Sequence, residues 1–291
     1  MSGGSKPTVE RKRLAFQLES GFAELSYVVH RPAAGGRIVI CLHDFFGNSA
    51  DFNRLAAMLS EHGMTVICPD LPGRGESAYL SPSDYNPHSY LLALAALIGT
   101  LGTKRINLVG TGWGALLAIG LAGMPEFSVS RVILADLGFP WELKVDEAIA
   151  AAAQGEPITT LEAARKLVAA SSEFEGMASW RVLSLVDGRL RQAGDGYRLD
   201  FDPALLSPET VGRFSRIATG PLFADVKARI LYMSARPLGA RERKWMRDVG
   251  LPGPTKSIAE NVGPDKHVHF SSAHELMLAL GFLSSRSLPE Y

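Results

Sequence analysis

The stretch from Arg105 to Gly120 constrains the fold more than any other part of this 291-residue chain. An aliphatic run, Arg105-Ile106-Asn107-Leu108-Val109, enters Gly110-Thr111-Gly112-Trp113-Gly114, and a small-residue run, Ala115-Leu116-Leu117-Ala118-Ile119-Gly120, leaves it. A short buried strand, a tight glycine turn and an immediate helix form one corner of a sheet covered by helices. Glycine accepts strained dihedrals at such a corner because it has no Cβ.

The rest of the chain repeats that alternation. Candidate strands are Arg13–Leu18, Ala23–His30, Arg37–Leu42, Thr65–Cys68, Ile106–Val109, Val132–Ala135, Ile230–Met233 and Lys256–Glu260. Helical stretches lie between them at Asp51–Glu61, Pro87–Leu101 and Trp113–Gly123. Asn86-Pro87 is a capping residue followed by proline at the first helical position. The fold class expected is α/β, a mostly parallel sheet with helices on both faces.

After Asp136 the alternation stops. From about residue 138 to 223 the pattern is helical with no clear strand, Thr159-Thr160-Leu161-Glu162 reads as a capping box, and Ser207-Pro208-Glu209 opens another helix. An insertion of about 85 residues is too long for an ordinary connection, and its apolar residues predict a folded helical lid. The expected organisation is a flexible 1–10, a core of 11–137 and 224–291, and a lid of 138–223.

Thirty basic and thirty acidic residues cancel, so no global field favours nucleic acid or an anionic membrane. The N-terminus has no apolar signal-peptide core, and the longest apolar segment, Tyr90–Leu101, is shorter than a membrane span. Cys41 and Cys68 lie in apolar runs and read as buried free thiols, which suits a cytoplasmic protein. The histidines lack metal-ligand spacing, and the glycine frame lacks dinucleotide spacing, so no cofactor is expected.

Three loops carry the chemistry. His43-Asp44-Phe45-Phe46-Gly47 follows the third strand, Pro69-Asp70-Leu71-Pro72-Gly73-Arg74-Gly75-Glu76-Ser77 follows the fourth, and Gly110-x-Gly112-x-Gly114 follows the fifth. In this order they resemble the α/β-hydrolase family: its oxyanion loop H-G-x-x-G, its loop after the fourth strand, and its nucleophile elbow G-x-S-x-G. The resemblance runs from about Arg13 to Leu283. It implies an eight-stranded sheet, a lid over the C-terminal edge, and a small-molecule substrate between them.

By the same resemblance Gly112 stands at the nucleophile position, where it can neither attack nor transfer a proton. A naturally absent nucleophile and a removed serine both fit that glycine. Thr111 is expected to turn its hydroxyl away. The backbone amides of Phe45 and Trp113 are implied as the oxyanion hole, and the Trp113 indole as pocket wall. His267 is the implied base, with His269 as the alternative because the family spacing is stretched by one residue. Ser272-x-x-Glu275 caps the helix that follows.

The loop after the seventh strand, Ser234-Ala235-Arg236-Pro237, lacks the family's usual acid. Some relatives carry it after the sixth strand, and there the resemblance implies Asp136 as the acid that orients the histidine, with a cap on the lid connection as the alternative. His43 reads as a structural histidine at the pocket. Asp44 replaces a glycine of the oxyanion loop and either points away, binds a cationic or hydroxylated group of the ligand, or pairs with Arg236. The expected activity is hydrolysis of a small apolar ester, amide or C–C bonded substrate at an atypical site. Two alternatives are a non-catalytic ligand-binding relative and a nucleophile-free lyase using His267 as base.

Overall fold

The computed structural model describes residues 7–103, 105–138, 143, 145–174, 177, 179–215, 217–251, 256–262, 265 and 267–285. Strand β1 (Thr8–Leu18) pairs antiparallel with β2 (Gly21–Arg31), from Thr8 opposite Arg31 to Leu18 opposite Gly21. Residues Thr8–Arg11 are exposed and held by the ladder rather than by burial. A hydrophobic pattern therefore detects the strand only from about Arg13. The expected flexible 1–10 is corrected accordingly: the chain is ordered strand from Thr8, and residues 1–6 lie outside the described residues.

The remaining core elements follow in order. They are β3 (Ile38–Leu42), α1 (Asn53–Glu61), β4 (Thr65–Pro69), α2 (Pro87–Gly99), β5 (Arg105–Thr111), α3 (Trp113–Gly123) and β6 (Ser128–Ala135). The insertion contributes α4 (Glu147–Gln154), α5 (Leu161–Ala169), α6 (Ser179–Val186), β7 (Leu190–Ala193), β8 (Gly196–Leu199) and α7 (Pro208–Phe214). The core resumes with β9 (Arg229–Ser234), α8 (Ala240–Asp248), β10 (Lys256–Glu260) and α9 (Ala273–Ser284). Eight strands form one sheet in the order β1-β2-β4-β3-β5-β6-β9-β10, parallel from β4 onward.

Side chains alternate across this sheet as the two-residue period of a strand requires. Along β3, Val39 and Cys41 pack with Leu55 and Leu59 of α1 and Leu278 and Phe282 of α9. Ile40 and Leu42 face the other way, against Leu94 and Leu97 of α2 and Leu116 and Ile119 of α3. Both cysteines are buried and free. Asn86 accepts the Ser89 N–H ahead of Pro87, and Ser272 and Glu275 close a capping box on α9. At α5 the cap is Thr160, which accepts the Ala163 N–H; with alanine at the third helical position, the box read from Thr159 and Glu162 does not form.

The strandless insertion is also corrected, because β7 and β8 form a hairpin turned at Gly194, whose φ is +58°. Each strand has only four residues, mostly polar and partly exposed, too little for an apolar period to register. Among the described residues no helix is long and apolar enough to cross a membrane.

Register decides what meets at the sheet edge. Leu42 of β3 lies opposite Gly110 of β5, Thr111 opposite Ala135 of β6, and Ala135 opposite Met233 of β9. The residues just beyond these pairs are Asp44, Gly112 and Asp136, delivered side by side at the C-terminal edge. Open α/β sheets bind their ligands at that edge.

Candidate active site

The loop after β3 is pinned by its histidine. His43 Nε2 accepts the Leu71 N–H at 2.8 Å, so the ring proton sits on Nδ1 and is donated to the Asp44 carbonyl at 2.7 Å. Burial holds this imidazole well below its usual titration range, hence neutral. Behind the same loop the fully buried Arg74 donates to the Phe45 carbonyl at 2.7 Å and lies 4.5 Å from the Phe45 ring centre. Backbone from both sides therefore fixes where the Asp44 side chain and the Phe45 amide point.

They point at each other. Asp44 Oδ1 accepts the Phe45 N–H at 2.7 Å and the Trp113 N–H at 2.6 Å. The two amides read from the sequence as an oxyanion hole converge on one oxygen, and that oxygen belongs to the protein. The expectation that Asp44 points away or pairs with Arg236 is overturned. Arg236 instead pairs with Glu242, Nη2 to Oε1 at 2.6 Å, and Glu242 lies six residues on, in the first turn of α8.

Gly112 makes the arrangement possible. It turns the chain from β5 into α3 at φ +47°, and a Cβ built there would lie 2.2–2.3 Å from the Asp44 carboxylate atoms. No real Cβ contact is that short, so the carboxylate occupies the volume that an elbow side chain would fill. Two residues beyond the Leu42–Gly110 pair, this is where the register should bring the two chains together.

Asp136 and His267 form the other half of the site. Asp136 leaves β6 in the left-handed region at φ +48°, which aspartate tolerates better than most residues. Its Oδ2 accepts the Val268 N–H and its Oδ1 the Ala235 N–H at 3.4 Å. His267 Nδ1 lies 4.0 Å from Asp136 Oδ2, with the imidazole about half exposed. Burial pushes the Asp136 carboxyl up to about 6, against the opposing pull of the Val268 N–H and of His267. His269, the alternative base, stacks on Phe174 of the insertion at 6.0 Å.

A cavity of about 580 Å³ joins these groups. Asp44, Gly112, Asp136, His267 and His269 line it from the sheet edge, and Ile149, Val168, Leu185, Arg189 and Phe201 line it from the insertion. Thr111 and Arg236 border it too. His43 and Trp113, both placed at the pocket by sequence, are not on its wall. Both ring nitrogens of His43 are committed to backbone, and the Trp113 indole packs edge-on against Tyr90 and Phe214 in the core.

Two charged groups escaped the sequence reading. Arg189 holds both oxygens of Asp51, at 3.1 and 3.0 Å, and donates to the Phe46 carbonyl at 2.6 Å. It thereby ties the insertion to the Asp44 loop. Arg181 of α6 forms a buried ion pair with Asp265, two residues before His267. No local pattern announces either pair, because the partners are 138 and 84 residues apart. Among the described residues no group of three or more His, Cys, Asp or Glu side chains is placed to hold a metal ion.

Comparison with known proteins agrees with this architecture. The chain is 28% identical over 262 residues to a 3-hydroxybutyrate-oligomer hydrolase of Cupriavidus necator, covering 86% of this chain and 85% of that one. Over a shorter region, 84 residues, it is 37% identical to epoxide hydrolase 2 of Siraitia grosvenorii, 28% of this chain and 27% of that one. A crystal structure of an alpha/beta hydrolase from Novosphingobium aromaticivorans superposes with a TM-score of 0.75 at 22% identity, covering 93% and 96% of the two chains. The profile of the alpha/beta hydrolase family matches residues 39–279, and the chain belongs to that family.

Proposed function

We propose that the protein is a hydrolase of a small molecule held between the sheet edge and the 138–223 insertion, which serves as its lid. The observation that carries this reading is the His267–Asp136 pair on the wall of the cavity that also exposes Asp44 and Gly112. His267 takes a proton from water and returns it to the leaving group; Asp136 orients the ring through its Nδ1 side and stabilises the imidazolium. With glycine at the elbow, no side chain of residue 112 starts the reaction.

The test follows acid or alcohol release by the wild type, His267→Ala and Asp136→Asn. The panel holds p-nitrophenyl esters, alkyl electrophiles and, because of the Cupriavidus relative, short 3-hydroxybutyrate oligomers. Wild-type turnover that falls on the order of a hundredfold or more in His267→Ala and about tenfold in Asp136→Asn supports the reading. Turnover unchanged in His267→Ala refutes it.

A second reading, ligand binding without turnover, draws on Asp44, whose carboxylate already engages both amides. Thermal stabilisation by a ligand that the protein never converts would favour it.

A further inference from the structure

The geometry points to Asp44 as the nucleophile of this site, attacking a saturated carbon that bears a leaving group stable as an anion. The inference rests on the hydrolase reading and names its substrate class.

Three observations lead there. The Asp44 carboxylate fills the volume that an elbow side chain would occupy, within 2.3 Å of where a Cβ of residue 112 would sit. It lines the same cavity as His267 and Asp136. Its Oδ1 is held by the Phe45 and Trp113 amides at 2.7 and 2.6 Å. Amides so engaged are not placed to hold the oxygen of a substrate carbonyl, so the first step has to build no oxyanion on the substrate. Displacement at saturated carbon meets that condition, and attack on an ester carbonyl does not.

The same amides are aligned for the second step. When water attacks an esterified Asp44, negative charge develops on Oδ1, the atom they already hold. Donors preorganised on an enzyme carboxylate oxygen stabilise hydrolysis of an enzyme ester.

The bonds balance as follows. Asp44 Oδ2 bonds to the substrate carbon while the carbon–leaving-group bond breaks, its electron pair departing with the anion. His267 then takes a proton from water, and the resulting hydroxide adds to Asp44 Cγ. The Cγ–Oδ2 bond breaks, Oδ2 leaves with the alkyl group as the alcohol, and His267 returns the proton to it. The new carboxylic acid loses its own proton to solvent. The alcohol oxygen of the first turnover thus comes from Asp44, and one Asp44 oxygen then comes from water.

The experiment uses bromobutane and butyl tosylate in heavy-oxygen water. After many turnovers the peptide containing Asp44 gains the mass of an oxygen isotope exchange, whereas alcohol from a single turnover carries ordinary oxygen. His267→Ala accumulates a butyl adduct on Asp44, visible by intact mass. Asp44→Asn keeps an acceptor for both amides and melts near the wild type, yet loses at least a thousandfold in turnover.

Ester hydrolysis with the label entering the product acid directly, and no label on Asp44, overturns this proposal and leaves the hydrolase reading standing. Alkyl turnover that persists in Asp44→Asn also overturns it. No turnover of any probe by the wild type, adduct included, overturns both.

Discussion

Replacing Asp136 with asparagine separates the stability of this site from its chemistry. The Asp136 side chain is 17% exposed at the cavity wall, and burial pushes its carboxyl up to about 6 from the ordinary 3.8. The difference corresponds to about 3 kcal/mol, at ~1.4 kcal/mol per pH unit. Its sign follows from linkage. Below pH 3.8 both folded and unfolded chains hold the proton, and between 3.8 and about 6 only the folded chain does. Wild-type stability therefore falls as pH rises through this window and stays reduced above it.

Asparagine mimics the protonated acid at every pH. Asp136→Asn should match the wild type near pH 4 and exceed it by about 3 kcal/mol near pH 8. In a chain of this size that is roughly 6 °C in melting temperature. Thermal or urea unfolding at the two pH values measures it. Activity moves the opposite way, since a neutral amide cannot stabilise the imidazolium. If the two proteins differ equally at both pH values, burial is not what holds the Asp136 carboxyl up, and the reasoning fails.

Two further substitutions probe the contacts around the cavity. Gly112→Ser alone should destabilise by about 2 kcal/mol or more, because its Cβ meets the Asp44 carboxylate at 2.2 Å and its φ is +47°. Adding Asp44→Gly should recover most of that loss in urea titrations, and purely additive effects would dissociate the two positions. Arg181→Ala leaves Asp265 buried without its cation, at a cost of about 3–5 kcal/mol. Replacing both with apolar residues should be far milder, and the comparison is a double-mutant cycle read by unfolding.

The parts of the fold legible in sequence were those where burial enforces a period. Strands β3 and β5 and the second half of β6, Val132–Ala135, are buried on both faces and read as aliphatic runs, and their order with the loop motifs led to the correct fold class. Where hydrogen bonds alone hold the chain, the reading stopped short. The exposed first residues of β1 and the partly polar β7–β8 hairpin show this. At the site, motif order placed Asp136 and His267 on one edge, and the structure puts them 4.0 Å apart. What Asp44 does was not legible, because it depends on Leu42 lying opposite Gly110, a register no single segment encodes. Arg189 and Asp51 were missed for the same reason.

The glycine at 112 and the aspartate at 44 are structurally coupled, because a Cβ at 112 and the Asp44 carboxylate compete for one volume. A side chain at 112 would drive the carboxylate off its two amides, and an ionised Asp44 without those donors would be an uncompensated charge in a partly enclosed site. Glycine at 44 with glycine at 112 would leave the amides facing an empty turn. An ionised carboxylate at 44 would also bias the chemistry. A substrate oxyanion formed ~4 Å from an ionised Asp44 would be raised by about 4 kcal/mol at an effective dielectric near 20, roughly a thousandfold in rate. Restoring a serine at 112 while Asp44 stays ionised therefore adds a hydroxyl to a site that repels the intermediate it would make. An esterase built on this scaffold needs both positions changed together. Under the nucleophile role proposed for Asp44, the negative charge of the site is the protein's own, and a serine at 112 works against it.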